Sequence, residues 1–296
     1  MKFLASAFVI FTTVVLLFSC QKEVENPEPG DQQTGETYIK QLVFLDTTRP
    51  SGQDTLVKRI FAYDASNRLL STETFGYSSP PNAFGINLKS TSRQYYTGSN
   101  SFPDKITFEN LQFDIPGNNY FDTLYLFYQN GIVKKDSVRY SIATTIINHF
   151  DQLSTTRSRI ITRQLNSSGV IIDTSYTYTE WENGNLVREV DSQYFHLLPP
   201  GILVYETSCT YDNRPNPFRK MFIPYMYPAS AAKAIGFPVE FELFSHPSEN
   251  NIRTLAMDAL GNSTVEYRYN EEGLPEFATV NESGLTYKAC FIYTKL

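Results

Sequence analysis

From Tyr38 to the last residue, the chain alternates short apolar and aromatic runs with polar turns. The runs are rich in Tyr, Phe, Thr and Val, residue types that favour a pleated, half-buried surface. Stretches of this length and composition between turn residues are typical of β-strands. The predicted strands are Ile39–Asp46, Leu56–Tyr63, Arg68–Phe75, Asn87–Tyr96, Lys105–Phe108, Thr123–Tyr128, Val133–Tyr140, Arg159–Leu165, Val170–Thr179, Leu186–Ser192, Leu203–Tyr211, Ile252–Met257, Thr264–Tyr269, Glu276–Val280 and Thr286–Tyr293.

The turns between these runs carry hairpin chemistry. Asn130-Gly131 and Asn183-Gly184 fit type I′ turns, which need positive φ at both central residues. Weaker signals of the same kind are Ser168-Gly169, Gly261-Asn262, Glu272-Gly273 and Ser283-Gly284. Connections this short leave no room for crossover helices, so neighbouring strands should pair antiparallel. The sequence predicts an all-β fold, a large antiparallel meander that is either a curved sheet or barrel-like, because closure depends on register and shear.

One segment interrupts the strand pattern. Six prolines lie between Pro215 and Asn251, where they would disrupt central strands. Within it, Ala229–Ile235 reads as a short helix, with Pro228 suited to the first turn and Gly236 to the C-terminal cap. We interpret this Pro-rich excursion as a lid over one end or edge of the sheet.

The N-terminal residues indicate export. Lys2 precedes an almost wholly apolar run from Phe3 to Phe18, which is too short to span a bilayer comfortably. The ending Leu17-Phe-Ser-Cys20 resembles the bacterial lipobox, which implies lipid attachment at Cys20 after cleavage of the preceding bond. We therefore divide the chain into a signal peptide (1–19), a flexible tether rich in Pro, Gly and polar residues (20–37) and an antiparallel β domain (38–296).

Composition narrows the range of partners. Hydrophobic residues make up 41% of the chain and aromatics 15%, which is a folded composition, and the net charge is −6. The acidic balance argues against a nucleic-acid partner, because phosphates require a basic face. Cys209 and Cys290 either form a disulfide or pack as two small buried thiols.

A recurring phrase places an aromatic at the end of a strand, then a polar turn, then an apolar residue that begins the return strand. Its copies are Tyr63-Asp-Ala-Ser-Asn-Arg-Leu69, Tyr128-Gln-Asn-Gly-Ile132, Tyr211-Asp-Asn-Arg214 and Tyr269-Asn-Glu-Glu-Gly-Leu274. These phrases resemble the YD repeats of bacterial shell-forming wall proteins, except that Asn67 stands where those repeats usually have glycine.

A broader resemblance rests on the order of features along the chain. The lipobox, the hairpin array, Tyr211-Asp-Asn-Arg-Pro-Asn-Pro-Phe218, the Pro-rich excursion, Asn250-Asn-Ile252 and Tyr269-Asn-Glu-Glu-Gly-Leu-Pro275 occur in one order. That order is similar to a family of Bacteroidetes lipoproteins of uncharacterised function with a porin-like β fold. The resemblance implies a fold and a compartment and carries over no catalytic residue.

A search for catalytic chemistry yields one weak candidate. Glu180 and Glu182 lie two apart, so on a strand they share a face about 6.6–6.8 Å apart, near the lower carboxylate spacing of inverting glycosidases. Trp181 would point to the opposite face, and two solvated carboxylates at a hairpin rim explain the pattern equally well. His149, His196 and His246 lie far apart and form no metal-binding pair. We expect no enzyme activity, no cofactor and no metal site.

The prediction is therefore a lipid-anchored envelope β protein with a non-catalytic binding or structural role. Its expected partners are the membrane, through a lipid on Cys20, and a glycan or an envelope protein. The first alternative function is that of a glycan-binding accessory lipoprotein, and the second is that of a glycoside hydrolase. Abundant aromatics suit glycan stacking, yet Leu124-Tyr-Leu-Phe-Tyr128 and Ser175-Tyr-Thr-Tyr-Thr179 are also what an aromatic-rich β core looks like.

The expected location is the outer membrane. Gln21-Lys22-Glu23 resembles the export signal of surface lipoproteins in Bacteroidetes, although Val24 departs from it, so both the cell surface and the periplasmic face stay open. We favour a barrel or sheet hung from a lipid over a membrane-spanning barrel, because the runs around Lys58 and Arg188 place charge where a lipid-facing surface would be apolar.

Overall fold

Sixteen β-strands follow one another along the described part of the chain, and each pairs antiparallel with the next. The computed structural model describes residues 35–49, 53–77, 85–112, 120–130, 132–139, 144–195, 201–219, 248–258, 261–282 and 284–296. The strands are β1 (Thr37–Asp46), β2 (Thr55–Tyr63), β3 (Leu69–Tyr77), β4 (Ile86–Tyr95), β5 (Lys105–Gln112), β6 (Tyr120–Gln129), β7 (Ile132–Arg139), β8 (Thr145–Gln152), β9 (Arg157–Leu165), β10 (Ile171–Glu182), β11 (Asn185–Phe195), β12 (Gly201–Pro215), β13 (Asn250–Met257), β14 (Gly261–Tyr269), β15 (Pro275–Glu282) and β16 (Leu285–Lys295).

The first and last strands close the sheet into a barrel. β1 pairs with β16 from Thr37 opposite Lys295 to Asp46 opposite Tyr287, so the sheet has no free edge at its two ends. The predicted all-β antiparallel meander is confirmed, and the barrel form is the one adopted. Within the described ranges, no helix has the length and apolarity needed to cross a bilayer.

The turn chemistry read from the sequence is present in the structure. Asn183 and Gly184 have φ values of 50° and 77°, the positive pair that a type I′ turn requires. Asn130 has a φ of 54°, and the weaker turn signals place Gly169, Gly273 and Gly284 at φ values of 77°, 76° and 84°. These turns set the register of the hairpins they join.

Several elements differ from the sequence-based prediction. β8 was not predicted, because its polar Asn148 and His149 interrupt the apolar pattern; Asn148 is buried by side-chain partners on the adjacent strands. β12 runs beyond Tyr211 to Pro215, which ends the strand. β1 starts at Thr37, two residues before the predicted start of that strand at Ile39. The helix predicted at Ala229–Ile235, and with it most of the proposed lid, lies outside the described residues.

Alternate positions along each strand face the inside and the outside of the barrel. The register aligns buried residues of neighbouring strands in one row, as in Val57, Phe44, Ala289 and Ala278 on β2, β1, β16 and β15. We assign this buried face to the interior. It carries two packed apolar clusters, one built mainly from β1, β2 and β12–β16 and the other from β5–β9 and β11.

The segment after β12 adds a side chain to the first cluster. The Phe218 ring lies 5.9 Å from the ring of Phe61 and 6.4 Å from that of Phe291, both in edge-on geometry. Its segment is held by backbone and side-chain hydrogen bonds from Asn216 to Glu249 and Ser248. The two described ends of the Pro-rich excursion are thus fixed side by side.

Candidate functional site: a basic strip on the outer face

Tyrosines at one end of the barrel explain three of the four copies of the recurring phrase, those at Tyr63, Tyr128 and Tyr211, whereas Tyr269 of the fourth copy donates to the carboxylate of Asp212. Except in Tyr269, each hydroxyl donates a 2.7 Å hydrogen bond to a backbone carbonyl at the start of the preceding strand. The donors and acceptors are Tyr63 to Ile39, Tyr96 to Leu69, Tyr128 to Pro103, Tyr211 to Leu186 and Tyr293 to Pro275. Burial raises the pKa of Tyr96 to about 12, so its hydroxyl remains a donor at neutral pH. These tyrosines lock hairpins together and are structural.

Polar side chains form a connected chain on the inner face. Asn148 donates from Nδ2 to Asp136 Oδ1 at 2.8 Å and accepts a 2.7 Å bond from Thr162 Oγ1, across three adjacent strands. Burial raises the pKa of the Asp136 carboxyl to about 7, although the amide of Asn148 opposes that shift. Burial likewise lowers the pKa of Arg59, which donates to Thr74 Oγ1, to about 10. The interior therefore stabilises the neutral form of its ionisable groups.

Glu180, the first residue of the glutamate pair, belongs to a surface ion-pair network, whereas Glu182 at the end of β10 makes no ion pair among the described residues. Glu180 lies 2.9 Å from Arg157 and 3.6 Å from Arg188, and Arg188 also contacts Glu206 at 2.8 Å. Trp181 packs against the second interior cluster and donates from Nε1 to Thr179 Oγ1 at 3.0 Å. Trp181 thus faces away from Glu180, as expected, and two arginine partners give Glu180 a sufficient structural role.

The remaining candidate residues do not converge. Within the described ranges, no group of three or more His, Cys, Asp and Glu side chains could hold a metal ion. Cys209 is a free, buried thiol whose pKa burial raises to about 12, so it does not pair with Cys290. His149 lies on the outer face of β8, whereas Cys20, His196 and His246 lie outside the described residues.

The outer face carries aromatic side chains from the two runs whose pattern also fits a β core. Tyr125, Phe127, Tyr176 and Tyr178 are 44%, 48%, 39% and 41% exposed, while Thr177 between the last two is buried and donates to Asp191 Oδ1. The core interpretation of these four residues was wrong. Leu124 and Leu126 occupy the interior positions of β6, and the hydrogen-bonded Thr177 and Thr179 occupy those of β10. The alternation of small polar and aromatic residues along 175–179 is the sequence signal for this inverted arrangement.

The register brings cations and aromatics together on this outer face. One row of aligned positions runs Tyr95, Lys105, Tyr125, Ser137, Ile147 and Arg163. On one side of this row lies a second row, which consists of Phe127, Lys135, His149, Ile161 and Tyr176. On its other side lies a third row, which consists of Arg93, Thr107, Thr123, Arg139 and Thr145. We call these three rows, from β4 to β10, the basic strip.

The basic strip is positively charged in an acidic protein. Its rows contain five cations, Arg93, Lys105, Lys135, Arg139 and Arg163, and none of the aligned positions in the three rows is a carboxylate. Lys105 Nζ lies 4.2 Å from the centre of the Tyr95 ring, and Lys135 Nζ lies 5.2 Å from that of Phe127. Burial, then Arg163 and Lys135, lower the pKa of His149, while Asp151 opposes them. The strip can therefore attract anions while presenting flat rings.

Two solved structures of similar fold come from Bacteroides species. A porin-like protein of Bacteroides uniformis superposes with a TM-score of 0.53 at 12% identity, over 86% of this chain and 98% of that chain. A porin-like protein of Bacteroides vulgatus gives a TM-score of 0.51 at 12% identity, over 88% of this chain and all of that chain. At this identity the likeness concerns the fold. The porin-like β fold that the sequence resemblance implied is thus confirmed. No protein-family profile and no curated protein matches the sequence, and the lipoprotein and YD-repeat parts of the resemblance stay predictions.

Proposed function

We propose that the protein is a lipid-anchored protein of the bacterial outer membrane that acts by binding, with its barrel serving as a rigid scaffold. The observation that carries the proposal is the contrast between the two faces of the described wall. The inner face holds two buried apolar clusters, which suit a scaffold. The outer face presents exposed rings and ion pairs, which suit contact with a partner, either a glycan or another envelope protein.

The porin-like fold supports an outer-membrane location but leaves the mode of attachment open. Strands that face lipid keep their outer positions apolar through the depth of the bilayer. Here Arg188 and Glu206 pair on the outer face of β11 and β12, and Lys89 and Glu73 pair on that of β4 and β3. These mid-strand charges favour a barrel held beside the membrane by its lipid over one that spans it.

Lipid attachment is tested on the protein extracted from membranes. We expect intact-mass analysis to show a chain that starts at an acylated Cys20, and Cys20→Ala to give a released or uncleaved protein. An unmodified chain that retains residues before Cys20 would contradict the anchor. Protease treatment of intact cells then separates the two orientations, since cleavage of the barrel requires surface display.

The binding role is tested against catalysis on the same protein. A binding protein gives saturable retention of a polysaccharide or an envelope protein and leaves that partner unchanged. A glycoside hydrolase, the competing candidate, releases reducing ends and loses that activity in Glu180→Gln or Glu182→Gln. Turnover abolished by either substitution would overturn the non-catalytic assignment.

A further inference from the structure

No carboxylate in the described part of the chain pairs with the five cations of the basic strip. Several arginines elsewhere on the outer face are paired with carboxylates, as in Arg159 with Asp151 at 2.6 Å and Arg157 with Glu180 at 2.9 Å. Among the described residues, Arg93, Lys105, Lys135, Arg139 and Arg163 make no ion pair within 4.0 Å. The whole protein has a net charge of −6, so the positive charge of the basic strip is a property of this part of the surface only.

The shape of the strip suits an extended chain. Neighbouring strands lie about 4.8 Å apart, so the row from Tyr95 to Arg163 is roughly 24 Å long. The three rows are about 13 Å across, because residues two apart on a strand are separated by about 6.6–6.8 Å. Cations and rings interleave along this length, with Tyr125 next to Lys105 in register and Phe127 next to Lys135.

The borders of the strip carry carboxylates. The row beyond Lys135 and His149 begins at Asp151, and the row beyond Arg93 contains Glu109. Asp151 is paired with Arg159 at 2.6 Å, so Glu109 is the border carboxylate that a flat anionic membrane would meet together with the cations, and like charges repel. A single polymer chain can lie along the rows beside Glu109, so the charge pattern favours an anionic polymer over a bilayer surface.

We infer that the basic strip binds an extended acidic polysaccharide, one whose sugars carry carboxylate or sulfate groups. Lys105, Lys135 and Arg163 pair with the anionic groups, and the faces of Tyr125 and Tyr176 stack on sugar rings. This inference rests on the proposed binding function and names its ligand class. The contribution of the rings distinguishes the site from a surface that attracts any anion.

The test measures dissociation constants of the mature lipidated protein in detergent. The probes are polygalacturonate and dextran sulfate, with neutral dextran as the uncharged control. We expect both acidic polymers to bind, with an affinity that falls as salt rises, and dextran not to bind. Lys105→Gln/Lys135→Gln/Arg163→Gln should weaken binding about tenfold or more, the combined effect of three exposed ion pairs.

A matched variant controls for total charge. Lys40→Gln/Arg253→Gln/Lys288→Gln removes three exposed cations from β1, β13 and β16, outside the strip, and should change affinity by less than about twofold. Tyr125→Ala/Tyr176→Ala keeps every charge and should still weaken binding. Circular dichroism confirms that each variant keeps its β structure.

Several outcomes would overturn the inference. If the two triple variants lost affinity equally, or if the tyrosine variant kept full affinity, the strip would be a surface that attracts any anion and not a polysaccharide site. If the protein bound phosphatidylglycerol-containing vesicles through the strip and bound neither polymer, the strip would be a membrane-binding surface. Neutral phosphatidylcholine vesicles control for binding through the lipid anchor. Failure to bind either polymer while an envelope protein is still captured would remove this ligand and leave the proposed binding function standing.

Discussion

Asp136 shows how a single buried group couples this fold to pH. Its carboxyl is 1% exposed on the inner face of β7, and its pKa is raised to about 7 because burial penalises the charged form. In the unfolded chain the pKa of this carboxyl is about 4. Between about pH 4 and pH 7, Asp136 is therefore protonated in the folded state and ionised in the unfolded state. The contribution is therefore unfavourable above pH 7 and vanishes below pH 4, which makes stability fall as pH rises through this window.

The first prediction concerns Asp136→Asn. The amide keeps an acceptor for Asn148 and carries no charge, so it removes a penalty of up to about 4 kcal/mol, at about 1.4 kcal/mol per pKa unit. We expect the melting temperature at pH 8.5 to rise by about 2–4 °C for each kcal/mol recovered, with little change at pH 4.5. Asp151→Asn on the outer face is the control, and its melting temperature should not show this pH-dependent gain. If Asp136→Asn changed the melting temperature equally at both pH values, the raised pKa of Asp136 would not be the cause.

At the scale of the element, three loops share one conformation. Each loop begins at an Asp or Asn whose backbone N–H donates to the backbone carbonyl of the residue four positions later. The side-chain oxygen of the same Asp or Asn accepts a hydrogen bond from the backbone N–H of that later residue. The first residues of the three loops are Asp64, Asn166 and Asn270. The fourth residue of each loop, Asn67, Gly169 and Gly273, has a φ of 60°, 77° and 76°. Asn67 thus adopts the left-handed conformation that glycine adopts in the other two loops, as asparagine can.

The second prediction follows from that equivalence. Asn67→Gly should leave the free energy of unfolding unchanged or slightly raised, whereas Asn67→Ala should lower it by about 1–2 kcal/mol, the cost of the left-handed conformation. Urea denaturation measures both variants. Ser66→Ala, in the same loop but without a positive φ, should stay within about 0.5 kcal/mol of the parent protein, and a loss there equal to that of Asn67→Ala would point to a different cause.

At the scale of the whole molecule, a barrel of this strand number can hold a channel. Porins with 16–18 strands enclose water, whereas this barrel buries Phe44, Leu124, Val138 and Val280 on its inner face, each 2% exposed or less. Phe218 adds a ring from the segment after β12. The described interior is therefore packed like a protein core over both clusters, which is why the proposed function is placed on the outer surface.

The third prediction tests the packed interior. The purified mature protein, added to planar bilayers, should produce no stable conductance steps, because ions would have to pass two buried apolar clusters. A general porin in the same bilayers provides the positive control. Reproducible steps whose size changes in Leu124→Asp, a substitution on the inner face, would show that the barrel conducts.

Local pattern by itself determined the elements and the compartment signal. Turn residues such as Asn183-Gly184, and strand runs rich in Tyr, Thr and Val, act through nearest neighbours, so most strands and the glycine-containing hairpin turns named above could be read from the sequence. The turn between β8 and β9 could not, because β8 itself was not predicted. The phrase around Tyr63 and Tyr211 was visible as a repeat, but its purpose was not, since the carbonyls that accept from these tyrosines lie 24 and 25 residues earlier in the chain.

Only the tertiary structure decided closure, facing and the candidate site. Pairing of β1 with β16 joins residues at opposite ends of the barrel sequence, and β8 owes the burial of Asn148 to partners on two other strands. The basic strip likewise takes its five cations from four different strands, and each is an ordinary surface residue in its own run. Local propensity specifies which strands form, whereas the inward or outward direction of a side chain, and its neighbours across the sheet, depend on register, which long-range pairing sets.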